Sequence, residues 1–222
     1  MQKAFVSWSG GKDSCFACYR AVKSGLDVRC LLNMVTEDGD ISWSHGISSE
    51  LLRLQAEAID IPLIQKRTTA ANYEKAFVDV LQQFKKEGIS TGVFGDIDFN
   101  EHRTWIERVC SQGGVKSRLP LWGEDQEKLV KEFIDSGFET VVVTTKADLL
   151  GEKWLGRRID RSFLKDLKAL GNVTPCGEAG EYHTFVLDGP LFKKRIDLLK
   201  TEKELKDGYW FLSIKKCELS EK

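Results

Sequence analysis

The residues best suited to chemistry in this sequence of 222 residues lie near its start, in the string SGGKDS at positions 9–14. The string follows a short apolar run, residues 3–8, and precedes a helical pattern over residues 13–24. A strand, a glycine loop and a helix start in this order direct backbone N–H groups and the positive end of the helix dipole to one point. The string therefore predicts a loop that binds a phosphate.

Each residue type in the string suits an anion. Gly10 and Gly11 let the backbone approach a phosphate closely, because neither has a Cβ atom. Lys12 adds a positive charge, Ser14 adds a hydroxyl donor and Asp13 can help to cap the helix. A plain glycine turn beside a surface lysine is the simpler interpretation, but the full string after a strand favours phosphate. We expect Lys12 to lie in an exposed loop, so that its replacement by alanine affects catalysis more than folding.

The spacing of the string excludes a Walker A loop, which needs four residues between its first glycine and Gly-Lys-Ser/Thr. The string resembles instead the PP-loop of the N-type ATP pyrophosphatases, which include GMP synthetase, NAD synthetase and tRNA thiolases. This resemblance implies ATP, with Ser9, Gly10, Gly11, Lys12, Asp13 and Ser14 in its site. It also implies cleavage between the α- and β-phosphates, which leaves an adenylated substrate and pyrophosphate.

The composition is that of an ordinary globular protein. The chain has 41% hydrophobic residues, 30% charged residues and a net charge of −1, so it offers no general attraction to nucleic acid or anionic membrane. Neither a transmembrane helix nor a signal peptide is predicted, and we expect a cytoplasmic location. Six cysteines, several in apolar runs, fit a reducing compartment. Cys15 and Cys18 are interpreted as buried packing residues, although a redox or metal role is left open.

Strands alternate with helices through the first half of the chain. This alternation predicts an α/β fold with a doubly wound parallel sheet over residues 1–122. A smaller α+β domain is expected over residues 123–222, with Asp207-Gly208 as a two-residue hairpin turn. A strand is expected over residues 115–122, with only its start paired because it contains Pro120, and a helix is expected over residues 149–156.

Two further loops are expected at the carboxyl edge of the sheet, where such folds bind ligands. Gly95 and Asp96 follow a predicted strand, and Asp96 could hold Mg²⁺ against the phosphates or position the attacking group. A turn aspartate that caps the next helix is the alternative. Arg103 either pairs with Glu107 one helical turn away or stabilises the transition state next to the phosphates. Lys12, Asp96 and Arg103 are the predicted catalytic residues.

Gly95 and two more residues are assigned to nucleotide binding. Met34 lies near the end of the second predicted strand, and His45 lies in the loop that follows it. A histidine in a loop is usually a polar surface group. The position of His45 at the carboxyl edge of the sheet, where the glycine loop also lies, favours contact with a ligand.

The second distinctive stretch is CGEAGEYHTFV at positions 176–186. It places two carboxylates, a phenol, an imidazole and a hydroxyl in a loop with glycines that runs into a strand. A polar turn before an edge strand is the alternative, but so many polar groups favour a substrate site that faces the nucleotide across an interdomain cleft. The predicted substrate-binding residues are Glu178, Gly180, Glu181, Tyr182, His183 and Thr184.

Taken in order, SGGKDS, GDI at 95–97, an R-x-x-x-E helix, PLW at 120–122 and GEAGEYHTFVLDGPLF resemble the diphthine–ammonia ligase family. The resemblance spans nearly the whole chain. It implies a HUP-type, Rossmann-like domain followed by a smaller domain, with ATP and Mg²⁺ as cofactors. The implied reaction is amidation: a substrate carboxylate attacks the α-phosphate, and ammonia then displaces AMP. The implied acceptor is diphthine on elongation factor 2, and we expect no glutaminase domain to supply ammonia.

One departure from the family concerns the substrate. Diphthine ligases carry a glycine where this chain has Ala179, and a glutamate where it has His183. The histidine version resembles a sister group for which other amidations, including those of corrinoid acids, have been suspected. Diphthine carries a quaternary ammonium. Binding of this cation is weakened because the loop lacks the negative charge of the glutamate, and because any protonated fraction of His183 repels it. We therefore expect a small metabolite acid to be amidated more efficiently than diphthine.

Two functions of other classes share parts of this pattern. A tRNA-modifying thiolase uses the same loop, but the near-neutral charge and the position of Cys15 and Cys18 inside the first helix argue against it. A non-enzymatic ATP sensor shares the fold but does not need the polar loop at 176–186. A ligase or a thiolase releases AMP and pyrophosphate, whereas a sensor leaves ATP intact. Assembly into a homo-oligomer is left open by the sequence.

Overall fold

A computed structural model describes residues 1–43 and 46–222 of the chain. The described chain divides into two compact units. The first comprises Met1–Ser9 and Asp13–Trp122, and the second comprises Gly10–Lys12 and Gly123–Lys222. Three residues of the glycine loop thus group with the C-terminal part of the chain.

The first unit is built on a five-stranded parallel sheet. Its elements are β1 Lys3–Ser7, α1 Lys12–Lys23, β2 Asp27–Val35, α2 Ser49–Ile59, β3 Leu63–Arg67, α3 Tyr73–Lys86, β4 Thr91–Val93, α4 Asn100–Gly113 and β5 Lys116–Arg118. The strands follow the order β3-β2-β1-β4-β5, so the order reverses between β1 and β4. The predicted doubly wound α/β fold is confirmed.

The core of this unit follows from the apolar periodicity of its helices. Phe77 and Phe84 on α3, with Ile106 on α4, pack against Phe5 of β1 and Leu32 of β2. The Phe5 and Phe84 rings lie 5.2 Å apart. Burying one such side chain contributes about 1.5–3 kcal/mol, so this cluster fixes the strands whose carboxyl ends carry the candidate loops.

The second unit carries a four-stranded antiparallel sheet in the order β7-β6-β9-β8, and the predicted smaller α+β fold is confirmed. Strands β8 and β9 form a long hairpin around Asp207 and Gly208, which have φ angles of 50° and 79°. Two residues with positive φ are typical of the predicted two-residue turn. The elements are α5 Gln126–Asp135, β6 Glu139–Lys146, α6 Arg161–Leu170, β7 Tyr182–Asp188, β8 Arg195–Lys206 and β9 Tyr209–Ser220.

The strand expected over residues 115–122 is paired only over Lys116–Arg118, near its start, as the lack of an N–H group on Pro120 predicts. One expected element differs from the structure. The helix expected over residues 149–156 is a single 3-10 turn, Glu152–Trp154. Gly151 and Gly156 bound this turn, and Gly156 has a φ of 77°, which stops a helix there.

All six cysteines are free thiols, and five of them are buried. Burial raises the pKa of Cys18 to about 12 and raises that of Cys15 well above its usual value. Both thiols are therefore protonated and unreactive at neutral pH, as expected of packing residues. Within the described residues, no helix is long and apolar enough to cross a membrane. The same residues include no group of three or more His, Cys, Asp and Glu that could hold a metal ion.

Candidate active site

The glycine loop begins where β1 ends, at the carboxyl edge of the parallel sheet. Gly10 has a φ of 78°, a conformation that favours glycine. Ser9 and Ser14 are joined through their hydroxyls at 3.1 Å, so the two ends of the loop are held together. Helix α1 begins at Lys12, which places Asp13 in its first turn. The loop thus has the strand–loop–helix geometry that suits an anion.

Gly95 lies directly against this loop. A Cβ atom on Gly95 would lie 2.7 Å from the carbonyl carbon of Asp13 and 2.9 Å from the amide nitrogen of Ser14. Because these are backbone atoms, only glycine allows the loop after β4 to approach so closely. The loops after β1 and β4 therefore meet at the point where the strand order reverses, the usual ligand position in such sheets.

Asp96, which follows Gly95, has a quarter of its side chain exposed. Its Oδ1 lies 3.2 Å from Nδ1 of His102 in the first turn of α4. Arg103 donates to Glu107 at 2.7 Å, and its guanidinium lies 5.1 Å from the Trp122 ring centroid. The simpler of the two interpretations of Arg103, an ion pair within the helix, is thus observed. The catalytic role of Arg103 stays a prediction.

The end of β2 carries the other residues assigned to the nucleotide. The Met34 side chain is buried, and its carbonyl accepts the backbone N–H of Trp43 at 3.0 Å. His45 lies outside the described residues, so its assignment stays a prediction. Asn33 was missed by the sequence reasoning: it donates to the Trp8 carbonyl at 2.9 Å, and its buried Oδ1 has no donor within the described chain. The sequence signal that could have identified Asn33 is its position as a polar residue in the apolar run of residues 30–35.

The second unit holds the rest of the loop against β7. The backbone N–H of Lys12 donates to Thr184 Oγ1 at 3.0 Å, and Val186 donates to the Gly10 carbonyl at 3.1 Å. The Lys12 ammonium donates to the Cys176 carbonyl and lies 5.3 Å from the Tyr182 ring centroid. Lys12 is only 4% exposed, so the expectation that it lies in an exposed loop is wrong. The contacts with β7 that bury it span more than 160 residues of sequence.

Tyr182 is held by its contacts with Pro175, Phe163 and Gly177. Its hydroxyl donates to the Pro175 carbonyl at 2.6 Å, and Phe163 packs edge-to-face at 5.4 Å. A Cβ on Gly177, whose φ is 68°, would lie 2.8 Å from the Tyr182 ring. The glycine in the 176–186 loop therefore makes room for the tyrosine that lies beneath Lys12, a role that the sequence did not indicate.

The two glutamates of this loop differ in their surroundings. Glu178 is half-buried, and its backbone N–H donates to Thr174 Oγ1 at 3.0 Å. Glu181 is 4% exposed, and its Oε1 accepts from the Thr174 N–H at 2.7 Å. The buried Oε2 of Glu181 has no hydrogen-bond partner within the described residues. An unpaired buried carboxylate oxygen is costly, so Glu181 suits a ligand that donates hydrogen bonds.

His183 is a neutral imidazole at pH 7. Burial, together with repulsion by Lys12, lowers its pKa to about 4, and the charge of Glu181 opposes this only partly. The expectation that a protonated fraction repels a cationic substrate therefore does not hold at neutral pH. The loss of the negative charge that a glutamate would carry remains.

The pKa of His183 predicts a loss of stability in acid. Since an unfolded histidine binds its proton near pH 6.5 and folded His183 only near pH 4, the unfolded state binds more protons between these values. The wild-type free energy of unfolding should fall from pH 7 to pH 4.5 by about 2 kcal/mol more than that of His183→Gln. Urea unfolding of both proteins measures the difference. Equal pH dependence would show that His183 titrates normally.

Aromatic side chains form a cluster at the carboxyl end of β2, to which the sequence reasoning assigned no role. Trp43 packs edge-to-face on Tyr73, with ring centroids 6.4 Å apart, and Trp105 lies 6.0 Å from the same tyrosine. Burial and, less strongly, the charge of Asp96 raise the pKa of Tyr73 to about 12. The charge of Asp96 thus acts on the cluster through Tyr73.

Comparison with known proteins gives consistent matches. Residues 2–117 match the family described as Diphthamide synthase N-terminal domain, and residues 125–219 match Diphthamide synthase C-terminal domain. A diphthine–ammonia ligase of Schizosaccharomyces pombe is 34% identical over 237 residues, which is 94% of this chain but 38% of that protein. The diphthine–ammonia ligase of Rattus norvegicus is 30% identical over 85% of this chain and 79% of its own length.

Among solved structures, the crystal structure of a predicted subunit of tRNA methyltransferase from Methanocaldococcus jannaschii is similar, with a TM-score of 0.48. It is 17% identical in sequence, and the match covers 85% of this chain and 98% of that one.

Proposed function

Because this chain belongs to the diphthamide synthase family, we propose that it is an ATP-dependent amide-forming ligase of the diphthine–ammonia ligase type. The observation that carries the proposal is the contact of Lys12 with Cys176, Tyr182 and Thr184. This contact joins the loop suited to a phosphate to the loop suited to a substrate.

The residues at the glycine loop fit ATP. Gly10 has the positive φ of an anion-binding turn, and Gly95 keeps the neighbouring backbone close. We propose that residues 9–14 hold the phosphates and that Gly95 lies beside them. Met34 and His45 are proposed to contact the rest of the nucleotide. Lys12 is proposed to stabilise the charge that develops when pyrophosphate leaves.

Asp96 is suited to be the single protein ligand of a Mg²⁺ ion. Magnesium is often held by one or two carboxylates together with phosphate oxygens and water, so the lack of a three-residue cluster within the described chain does not conflict with this role. When bound, Mg²⁺ would neutralise phosphate charge. Asp96 itself is oriented by His102.

The proposed reaction has two steps. The substrate carboxylate attacks the α-phosphate of ATP, which forms an acyl-adenylate and releases pyrophosphate. Ammonia then attacks the acyl carbon, and AMP leaves as the amide forms. We propose that residues 178 and 180–184 contact the substrate, with the unpaired Oε2 of Glu181 as an acceptor for an N–H group.

A small metabolite acid is the second candidate for the acceptor, and His183 is the observation that favours it. The loop lacks the negative charge that a glutamate at position 183 would give a cationic substrate. However, His183 is neutral at pH 7, so it does not repel diphthine. The relatives named for diphthine therefore carry more weight, and diphthine is the first candidate. A thiolase is disfavoured because Cys15 and Cys18 are buried and protonated.

Product analysis tests the proposal. With ATP, ammonium and diphthine-bearing elongation factor 2, we expect one AMP and one pyrophosphate for each amide formed. Parallel reactions with corrinoid acids, and with His183→Glu, separate the two acceptors: diphthine use should rise in the variant if the missing charge matters. Release of ADP and orthophosphate would exclude the proposed reaction, and intact ATP would favour the sensor.

A further inference from the structure

One aromatic group of the first unit has no role in the function proposed above. We call Trp43, Tyr73 and Trp105 the aromatic platform. Tyr73 and Trp105 are partly buried and pack against the core below them. Trp43 lies outside this core and is 42% exposed, although it packs on Tyr73. The platform therefore ends in a large aromatic surface that folding alone does not require.

Trp43 is held so that its indole ring, and not its N–H group, is available. The indole N–H donates to the carbonyls of Val35 at 3.1 Å and Thr68 at 3.3 Å. The backbone N–H of Trp43 donates to the Met34 carbonyl. Because both donors are used within the protein, the exposed part of the side chain is an apolar surface with a negative electrostatic face.

The position of the platform relates it to the glycine loop. The indole N–H of Trp43 donates to Val35 at the carboxyl end of β2, the strand that pairs with β1, and the charge of Asp96 acts on Tyr73. Gly95, next to Asp96, contacts the backbone of Asp13 and Ser14. All of these residues belong to the first unit. An aromatic surface and a carboxylate thus lie at the same edge of the sheet as the loop where a substrate carboxylate would be activated.

A quaternary ammonium is the group that this combination recognises. It has no N–H donors, so it cannot satisfy a hydrogen-bond acceptor, and it is bound by aromatic faces and negative charge instead. In diphthine the quaternary ammonium lies near the carboxylate that is activated, so the two groups must bind near one another. We propose that the aromatic platform, with Trp43 as its exposed face, binds the quaternary ammonium of the substrate. This inference rests on the proposed function, and on diphthine as the acceptor.

The platform also explains how the substitution at His183 can be tolerated. If the cation is recognised in the first unit by Trp43 and Tyr73, the loop at 176–186 does not need a second glutamate for it. Glu181 is then free to accept from an N–H donor, the kind of group that a quaternary ammonium lacks.

A binding experiment tests the platform without turnover. Betaine carries a trimethylammonium one carbon from a carboxylate, and 3,3-dimethylbutanoate has the same shape without the positive charge. We expect the 222-residue chain to bind betaine roughly tenfold more tightly than 3,3-dimethylbutanoate, in the presence of a non-hydrolysable ATP analogue. Saturation-transfer NMR on the methyl singlets measures both ligands. The preference should be lost in Trp43→Leu and largely kept in Trp43→Phe.

A kinetic experiment uses the same variants. For diphthine-bearing elongation factor 2, Trp43→Leu should raise KM about tenfold with little change in kcat. Trp210→Leu, which removes an indole from β9 in the second unit, is the matched control and should leave KM unchanged.

The two experiments separate the platform from the proposed reaction. Equal binding of betaine and 3,3-dimethylbutanoate, or wild-type behaviour of Trp43→Leu in both assays, would overturn the platform while amidation still stands. A betaine preference that depends on Trp43, without any formation of AMP, would support the platform and exclude the reaction.

Discussion

Replacing Lys12 by methionine is expected to lower kcat/KM for ATP by about 10²–10³-fold. Methionine keeps most of the length of the lysine side chain and removes the charge that would face the departing pyrophosphate. The ammonium also donates to the buried Cys176 carbonyl, so the variant should lose about 1–3 kcal/mol of stability. Steady-state release of pyrophosphate, measured well below the melting temperature, separates the two effects.

Lys23→Met is the matched control. Lys23 lies in the last turn of the same helix, and its ammonium is also placed over an aromatic ring, 5.9 Å from the Tyr19 centroid. It is exposed and far along the helix from the glycine loop, so its loss should change neither rate nor stability by more than about 0.5 kcal/mol. A Lys12→Met protein as active as Lys23→Met would remove Lys12 from the catalytic residues.

Replacing Gly95 by alanine is expected to disrupt the glycine loop, because the new side chain would clash with the backbone of that loop. The added Cβ would lie 2.7–2.9 Å from three backbone atoms of Asp13 and Ser14, which cannot rotate away as a side chain could. We expect a loss of about 1–3 kcal/mol of stability, together with at least a tenfold rise in KM for ATP. Thermal unfolding and initial rates over a range of ATP concentrations measure the two changes.

Gly151→Ala provides the comparison for the glycine variant. Gly151 has a φ of −75°, and a Cβ there would meet nothing within 4 Å. This variant should behave like wild type, because alanine adopts that conformation without strain. An unchanged KM for ATP in Gly95→Ala would show that the loops after β1 and β4 do not act together on the nucleotide.

The parts of the fold that depend on local sequence were predictable. The glycine loop, the alternation of strands and helices, and the Asp207-Gly208 turn follow from neighbouring residues, since each is fixed by backbone conformation or by periodicity. Pro120 marked where β5 weakens but did not show that it ends at Arg118. The 3-10 turn at Glu152–Trp154 was mistaken for a helix, because Leu150 and Trp154 lie four residues apart, a helical spacing. The glycines on either side of the turn limit its length.

The surroundings of the candidate residues were less predictable, because they depend on contacts distant in sequence. Nothing near Lys12 indicates that Cys176 and Thr184 bury it. The need for glycine at position 177 is set by the Tyr182 ring, and the pKa of His183 is set by burial and by Lys12. Trp43 was given no role, since its relation to Tyr73 requires the fold.

The bonds between Gly10–Lys12 and β7 also set the order in which the protein matures during synthesis. Lys12 and Thr184 are 172 residues apart, so the bond between them closes one of the longest loops that the chain can form. A nascent chain can complete its parallel sheet once β5 has emerged from the ribosome, but the glycine loop gains these bonds only after β7 follows. Incomplete chains therefore carry a glycine loop that lacks its partners, and ATP turnover should begin only when translation is nearly finished.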